Sequence, residues 1–159
     1  MSLGMLRERG LAASRDGDCP RSLEITTMNA IAPAPNVTSH EDDEMILEVV
    51  RDLVRERVAP RAAEIDEKGE FAYDIYELFA KNDLLGIPFP AEYGGLGLSF
   101  LTYVKVVEEV SKACASSGLM IAVQELGALP IIIAGNDAQK KKYIPKLASG
   151  EYRAAYALS

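Results

Sequence analysis

The sequence predicts an all-α protein: an antiparallel helical bundle followed by a short C-terminal β-strand. Apolar residues recur at helical spacing in five segments between residues 41 and 150. Proline or glycine separates several of these segments, as at Pro60, Gly86 and Gly135. The last nine residues, EYRAAYALS, alternate partly and are rich in Tyr and Ala, which is typical of a strand.

The first two helices are predicted from residue 41 to about residue 85. Four acidic residues at 41–44 favour a helix start, because the macrodipole stabilises negative charge there. Pro60 lacks an amide hydrogen and should break or restart the first helix. A short helical piece follows and turns at Gly69. The second helix is expected from its apolar face, formed by Ala72, Ile75, Tyr76 and Phe79.

The third and fourth helices are predicted to be neighbours in the chain. The third runs from about Phe100 to Ala113, with a buried stripe, and SSG at 116–118 should interrupt the pattern. The fourth, roughly Leu119 to Ala134, is apolar nearly all round, which predicts a central position covered on most sides. Pro130 within it predicts a kink or a restart. The expected stripe of the third helix is Leu101, Val104, Val107 and Val110.

The fifth helix should begin at a capping box. Asn136 is suited to the N-cap position, and Gln139 stands three residues further on. The helix is expected to end at Gly150. We expect residues 1–40 to be a disordered tail or leader, because they mix polar residues and proline without a period.

Composition limits the classes of function. The 159 residues predict about one domain. The net charge of −7 is carried by residues 41–159, which disfavours a nucleic-acid binder. No apolar run reaches the roughly 20 residues needed for a membrane span. The two cysteines, Cys19 and Cys114, lie far apart, so a disulfide framework is not indicated and a reducing cytosol is the default.

The glycine-rich stretch FPAEYGGLGLS, residues 89–99, allows two interpretations. Glycines before a helix can cradle a phosphate, but GGLG matches neither GxGxxG nor GxxxxGK[ST]. The second interpretation is a structural corner, in which glycine permits positive φ and Pro88 and Pro90 stiffen the entry. We favour the corner.

The chain contains few candidates for catalysis. His40 is the only histidine, so Ser-His triads, Cys-His dyads and HExxH zinc sites within the chain are excluded. Cys114 is interpreted as a small core residue. Glu125 lies in the apolar fourth helix, where burial would raise its pKa. A surface or paired carboxylate is the alternative for Glu125. We therefore predict no catalytic residue and no metal site in this chain.

Four segments resemble one family when they are taken together and in order. They are LLGIPFPAEYGGLGLS, VVEEVSKACAS, LGALPIIIAGNDAQKKKYIPKLASGE and AAYALS. They resemble the N-terminal half of the acyl-CoA dehydrogenases over about residues 41–159. The resemblance implies a helical N-terminal domain at 41–150 and the first strand of a middle β domain at 151–159. It also supports the corner at residues 89–99.

The resemblance implies a chemistry that this chain would share with further domains. The family uses FAD to convert an acyl-CoA thioester into the trans-2-enoyl thioester. Four residues match the start of its flavin-contacting segment, and five lie on the helix that matches the wall of the acyl-chain cavity. The catalytic glutamate belongs to a later helical bundle, so this chain alone should be inactive. The implied cofactor residues are Tyr156, Ala157, Leu158 and Ser159, and the implied acyl-wall residues are Glu125, Leu126, Ala128, Leu129 and Ile132.

The resemblance also implies partners and a compartment. Electron-transfer flavoprotein would accept the electrons, and the full-length protein would be a homotetramer. We expect a cytoplasmic location, or the mitochondrial matrix in a eukaryote. Two alternatives stay open: a flavin-dependent oxidase or monooxygenase of the same superfamily, and a non-catalytic helical interaction module.

Overall fold

A computed structural model of the chain describes residues 40–157, in which six α-helices follow one another. The first, α1, spans His40–Leu53, and the chain continues as a π-helical turn at Val54–Val58 and a 3₁₀ turn at Ala59–Arg61. Helix α2 follows at Ala62–Lys68. Pro60 therefore changes the hydrogen-bonding pattern without making the chain leave the helical region. The disordered N-terminal segment or leader predicted at 1–40 lies outside the described residues except for His40, which begins α1.

Helix α3 spans Tyr73–Lys81, four residues shorter than predicted at its C-terminal end. Asp83 adopts a positive φ of 57°, and a 3₁₀ turn follows at Leu84–Gly86. Leu85 is buried in the core, so the apolar residues that suggested a longer helix pack from this turn. The end of the helix at Asn82 is supported by the Asn82 side chain, which donates to the Leu78 carbonyl at 2.8 Å.

Helix α4 spans Phe100–Ala113, as predicted, but its buried face differs from the predicted one. Leu101 and Val104 are exposed, whereas Thr102, Tyr103 and Val106 are buried. The predicted stripe is correct at Val110, which is buried, and at Val107, which packs against the core. The Thr102 hydroxyl is satisfied in the core, since it donates to the Asp43 carboxylate at 2.6 Å.

Helix α5 spans Ala115–Ala134, so the interruption predicted at 116–118 is wrong. Cys114 alone separates α4 from α5, and it is buried as predicted. Gly118 allows α5 to approach α4 closely: an added Cβ would lie 3.1 Å from Ser111 Cβ and 3.2 Å from Ser111 Cα. The small residues that resembled a loop therefore form a close helix contact.

Pro130 lies inside α5, and the helix continues through it to Ala134 without a restart. By length and hydropathy alone, α5 is the one described helix that could span a membrane. It packs instead against α3, α4 and α6, which places it centrally as predicted. The prediction that it is covered on most sides is wrong, because only five of its 20 residues are buried and Leu119, Leu126 and Ile133 are exposed.

Helix α6 spans Asp137–Ala148 and begins at the predicted capping box. The Asn136 side chain accepts from the Gln139 amide at 2.9 Å, and the Gln139 side chain accepts from the Asn136 amide at 2.9 Å. Two of the helix's free N-terminal donors are thereby satisfied. Ile144 and Leu147 then face the core.

The helix directions follow from the side-chain contacts. Ser111 meets Gly118, and Tyr103 donates to the Ala122 carbonyl at 3.4 Å, so α4 and α5 are antiparallel. Helices α1 and α4 run parallel, because Asp43 pairs with Thr102 near their starts and Arg51 pairs with Glu109 further along. The bundle is thus all-helical, with a parallel pair that the sequence did not predict.

The core has two parts. The larger lies between α1, α3 and α4 and includes Val50, Val58, Phe79, Leu85, Val106 and Ile121. The smaller joins the glycine-rich corner to α5 and α6 through Phe89, Ala128, Ile144, Leu147 and Ala148. The two parts fix the corner and the end of α6 against the central helix.

The predicted strand is not formed in residues 151–157, which the structure shows as a bend followed by irregular chain. A strand needs a partner for its backbone groups, and the described part of the chain contains no other strand. Side chains of the bundle bond to this segment instead.

Candidate functional site

The candidate site is the seat on α5 and α3 that receives residues 150–155, here called the tail. The tail leaves α6 through Gly150, whose φ is +77°. A Cβ at Gly150 would lie 2.8 Å from Ala80 Cβ and 2.9 Å from Leu85 Cδ1. Both observations favour glycine at this position: it adopts positive φ without strain, and any Cβ would force Ala80 or Leu85 to shift.

Gln124 is the central residue of the seat and is 2% exposed. Its Nε2 donates to the Leu147 carbonyl at 2.7 Å and to the Tyr152 carbonyl at 2.8 Å. Its Oε1 accepts from the Ala154 amide at 3.0 Å. A buried amide is costly unless its donors and acceptor are bonded. Gln124 meets this condition through the end of α6 and the tail.

Tyr76 of α3 holds the tail from the other side. Its hydroxyl lies 3.3 Å from the Gly150 carbonyl and 3.2 Å from the Tyr152 carbonyl, to which it donates. Burial raises the pKa of Tyr76, and the nearby Arg153 charge opposes part of that rise. The phenol therefore stays protonated and remains a donor at neutral pH.

Arg153 stacks on a group of aromatic rings. Its guanidinium lies 5.0 Å from the Tyr73 ring centroid, 5.7 Å from that of Phe71 and 5.8 Å from that of Tyr76. Cation–π contacts at these distances are favourable, and they orient the guanidinium without a carboxylate. Arg153 thus adds a third attachment between the tail and the start of α3.

Gly127 gives the tail a flat surface on α5. An added Cβ would lie 2.5 Å from Ala154 Cβ and 3.1 Å from the Ala155 nitrogen. Glycine in a helix interior is unfavourable by about 1 kcal/mol relative to alanine. The close approach of the tail explains why a glycine occupies this position.

A cavity of about 400 Å³ lies beside the seat. Its apolar wall includes Phe71, Leu119, Met120 and Val123, and the tail residues Arg153 and Ala154 close one side. The volume is within the usual range for small-molecule pockets. Its shape depends on the tail, because the tail supplies part of the wall.

The structure describes two of the four predicted cofactor residues. Tyr156 is 51% exposed, and Ala157 is exposed as well. Leu158 and Ser159 lie outside the described residues. Within residues 40–157, no hydrogen bond reaches the backbone of residues 155–157. Their amide and carbonyl groups are thus open to a further partner.

The five predicted acyl-wall residues do not share one environment. Glu125, Leu129 and Ile132 recur at spacings of four and three along α5, and all three are half-buried. Leu126 is exposed on the neighbouring side of the helix. Ala128 is fully buried in the smaller core, so it supports the helix from within. None of the five lines the cavity beside the seat.

Glu125 is half-buried, which lies between its two interpretations, and this partial burial raises its pKa. Within residues 40–157 it makes no ion pair or hydrogen bond. Its charge also helps to raise the pKa of the Tyr103 phenol, after burial of that ring as the main cause. Glu125 is the only acidic residue of α5, and it shares a face with the apolar residues Leu129 and Ile132. This face, together with the neighbouring Leu126, is called the outer side of α5.

The glycine-rich corner is not a phosphate cradle. Each amide from Gly94 to Leu98 donates to a carbonyl within residues 86–91, at distances of 2.9–3.2 Å. No amide in this run is left to bind an anion. Gly94 and Gly97 adopt positive φ, of 83° and 63°. The predicted corner is confirmed.

The described residues contain no group of three or more His, Cys, Asp or Glu side chains that could hold a metal ion. Three functional candidates were not recognised in the sequence: Gln124, Gly127 and Tyr76. The available signals were a polar side chain and a glycine inside an apolar helix. Their meaning depended on where the tail packs, which local spacing does not predict.

The fold and the seat define a helical domain that holds an outgoing segment by side-chain contacts and presents Tyr156. The family model for the acyl-CoA dehydrogenase N-terminal domain matches residues 40–151. The chain belongs to the acyl-CoA dehydrogenase family, and the resemblance seen in the sequence is confirmed.

Named relatives agree with the family. The chain is 37% identical over 120 residues to "Acyl-CoA dehydrogenase" of Bacillus subtilis (strain 168), covering 75% of this chain and 32% of that protein. It is 37% identical over 141 residues to "Cyclohex-1-ene-1-carbonyl-CoA dehydrogenase" of Syntrophus aciditrophicus (strain SB), covering 89% and 32%. It is 39% identical over 122 residues to "Isovaleryl-CoA dehydrogenase, mitochondrial" of Pongo abelii, covering 75% and 29%.

A solved structure shares the fold. It is described as "Electron transferring flavoprotein of Acidaminococcus fermentans: Towards a mechanism of flavin-based electron bifurcation". The matching chain superposes with a TM-score of 0.68 at 33% identity, covering 74% of this chain and 31% of that chain. The chain thus spans about a third of the length of the relatives it matches.

Proposed function

We propose that this chain forms the N-terminal domain of an FAD-dependent acyl-CoA dehydrogenase, which converts an acyl-CoA thioester into its trans-2-enoyl product. The match of residues 40–151 to the family's N-terminal domain carries the proposal. Relatives named as dehydrogenases of CoA thioesters support the reaction and the substrate class.

The residues present fit one edge of a flavin site. The ring of Tyr156 is exposed, and the backbone groups of residues 155–157 have no partner within the described chain. An exposed aromatic ring and open amides offer the stacking and hydrogen bonding that an aromatic cofactor requires. FAD, when bound, supplies the hydride acceptor. The bundle's own contribution is to hold the segment that carries Tyr156 and Ala157.

The outer side of α5 is proposed as one wall of the acyl site. Leu126, Leu129 and Ile132 give it an apolar surface, and Ala128 anchors the helix beneath them. An apolar wall excludes water from a fatty chain and from the reacting carbons. Glu125 lies within this surface, and we assign it no role as a base.

The proton-abstracting carboxylate is proposed to come from outside this chain, and Met1–Ser159 alone to be inactive. We also propose electron-transfer flavoprotein as the electron acceptor and a homotetrameric full-length protein. The structural neighbour, described as an electron transferring flavoprotein, supports the first of these. A cytoplasmic or mitochondrial-matrix location completes the proposal.

The test compares the 159-residue chain with the product of its complete reading frame. The complete product should show flavin absorbance and dye-linked oxidation of an acyl-CoA, and the 159-residue chain neither. A reading frame that ends at Ser159 would refute the dehydrogenase and favour a helical interaction module. Oxygen consumption without dye reduction would point to an oxidase or monooxygenase.

A further inference from the structure

The buried side chain of Gln124 has its hydrogen bonds satisfied only when the tail is in place. Of its three bonds, those to the Tyr152 carbonyl and the Ala154 amide involve the tail, and the third reaches the end of α6. If the tail left, a side chain that is 2% exposed would lose two of its three partners. The buried amide therefore favours the seated tail over a free one.

The tail is held mainly by side chains. Two of its amides bond to the backbone of α6: Gly150 donates to the Leu147 carbonyl at 3.2 Å, and Tyr152 donates to the Lys146 carbonyl at 2.9 Å. Its other main-chain bonds go to side chains. Without the regular ladder of a sheet, a few side-chain contacts decide its position. Removing them should free the tail without unfolding the helices.

The seat lies close to the proposed cofactor residues in the chain. Tyr156 follows the anchored Ala154 by two residues, and a chain spans at most about 3.6 Å per residue. The Tyr156 Cα therefore stays within about 7 Å of the Ala154 Cα. Fixing Ala154 restricts the space that Tyr156 can occupy.

We propose that Gln124, assisted by Tyr76 and Gly127, is a positioning residue for the flavin. It holds Ala154 on α5, so that Tyr156 and Ala157 are already placed when the cofactor arrives. A preorganised segment binds more tightly, because less conformational freedom is lost on binding. The inference rests on the proposed function, since it concerns the same cofactor site.

The first measurement uses the 159-residue chain and needs no cofactor. Hydrogen exchange is followed at the Ala154 amide in the wild type and in Gln124→Met, which removes the amide at similar size. Loss of its tail bonds should lower the protection of Ala154 by about tenfold or more, while the α4 amides keep theirs. Ser99→Ala is the matched control, because it removes an N-cap bond to the Thr102 amide and touches no tail residue.

The second measurement uses the complete protein. Apoprotein is titrated with FAD, and the quenching of flavin fluorescence gives the dissociation constant. Gln124→Met should weaken FAD binding by about tenfold or more relative to Ser99→Ala. Tyr76→Phe should weaken it less, since it removes one hydroxyl and keeps the Gln124 bonds; it also serves if Gln124→Met does not fold. A purely structural role would change the melting temperature without this difference in affinity.

The outcomes are distinct. FAD affinity that is equal in wild type and in both seat variants would overturn the inference and leave the proposed function intact. Unchanged protection of Ala154 in Gln124→Met would overturn it as well. A complete wild-type protein that binds no FAD, or a reading frame that ends at Ser159, would refute the proposed function and the inference together.

Discussion

Gly127→Ala should detach the tail while leaving the bundle folded. The added Cβ would lie 2.5 Å from Ala154 Cβ, with the Ala155 nitrogen at 3.1 Å. Because these atoms belong to the tail and not to a packed helix, the tail can move away. Three bonds would then be lost: those that Gln124 and Tyr76 donate to the Tyr152 carbonyl, and the one that the Ala154 amide donates to Gln124.

The expected change in stability has two opposing contributions: the hydrogen bonds that the tail loses, and the higher helix propensity of alanine. Hydrogen bonds contribute about 0.5–1.5 kcal/mol each, so three give about 1.5–4.5 kcal/mol of local stability. Every 1.4 kcal/mol corresponds to tenfold in exchange protection, which predicts at least about a tenfold loss at the Ala154 amide. Alanine also stabilises the helix by about 1 kcal/mol relative to glycine. The global free energy of unfolding should therefore fall by about 0.5–3.5 kcal/mol.

Hydrogen exchange at Ala154 and urea unfolding measure the two quantities separately. The control is Ala154→Gly, which removes the atom that the new Cβ would meet. Gly127→Ala should cost much less protection in the Ala154→Gly background than in the wild type, so the two changes should couple in a double-mutant cycle. Full protection of Ala154 in Gly127→Ala alone would refute the reasoning.

Three further predictions concern the bundle itself. In Gly95→Ala, the Cβ would lie 2.5 Å from the Phe89 carbonyl carbon, so we expect a loss of about 2–3 kcal/mol in urea unfolding; an unchanged midpoint would contradict the close packing of the corner. Asn136→Ala should cost about 1 kcal/mol by the same assay, because α6 loses its cap, and Asn136→Asp should retain most of the stability. Burial raises the pKa of Glu125, so the folded state binds its proton more tightly, and stability should fall as the pH rises from the ordinary carboxyl pKa through the raised one. Glu125→Gln should remove that loss, making the variant more stable than wild type at neutral pH but not below the ordinary carboxyl pKa; an identical pH dependence of unfolding in the two proteins would contradict the assignment.

Local patterns predicted the helices well because their start and stop signals act locally. The capping box at Asn136 and the end of α2 at Gly69 depend only on neighbouring residues, and both occur in the structure as expected. The corner was also predictable, since glycines with positive φ and stiff prolines define a turn without help from distant residues.

The predictions failed at positions whose structure depends on residues far away in the sequence. Thr102 faces the core because Asp43, 59 residues earlier, accepts its hydrogen bond. Gly118 lies inside α5 and not in a loop, because α4 packs so closely at Ser111 that a glycine is favoured at this point of the helix. The strand expected at 151–159 needs partners that the described residues do not contain.

The candidate site was predicted only in part, and for the same reason. Tyr156 and Ala157 came from a family resemblance, not from spacing. The seat beneath them could not be predicted without the position of the tail, because the role of Gln124 follows from the bonds that join it to Tyr152 and Ala154.

The corner at residues 89–99 has a mechanical consequence. Since its amides from Gly94 to Leu98 all donate to carbonyls within residues 86–91, we expect its shape not to depend on what binds nearby. We therefore expect the separation between the end of α3 and the start of α4 to stay the same when a ligand or another domain binds, so that a displacement of one helix is passed on to the other.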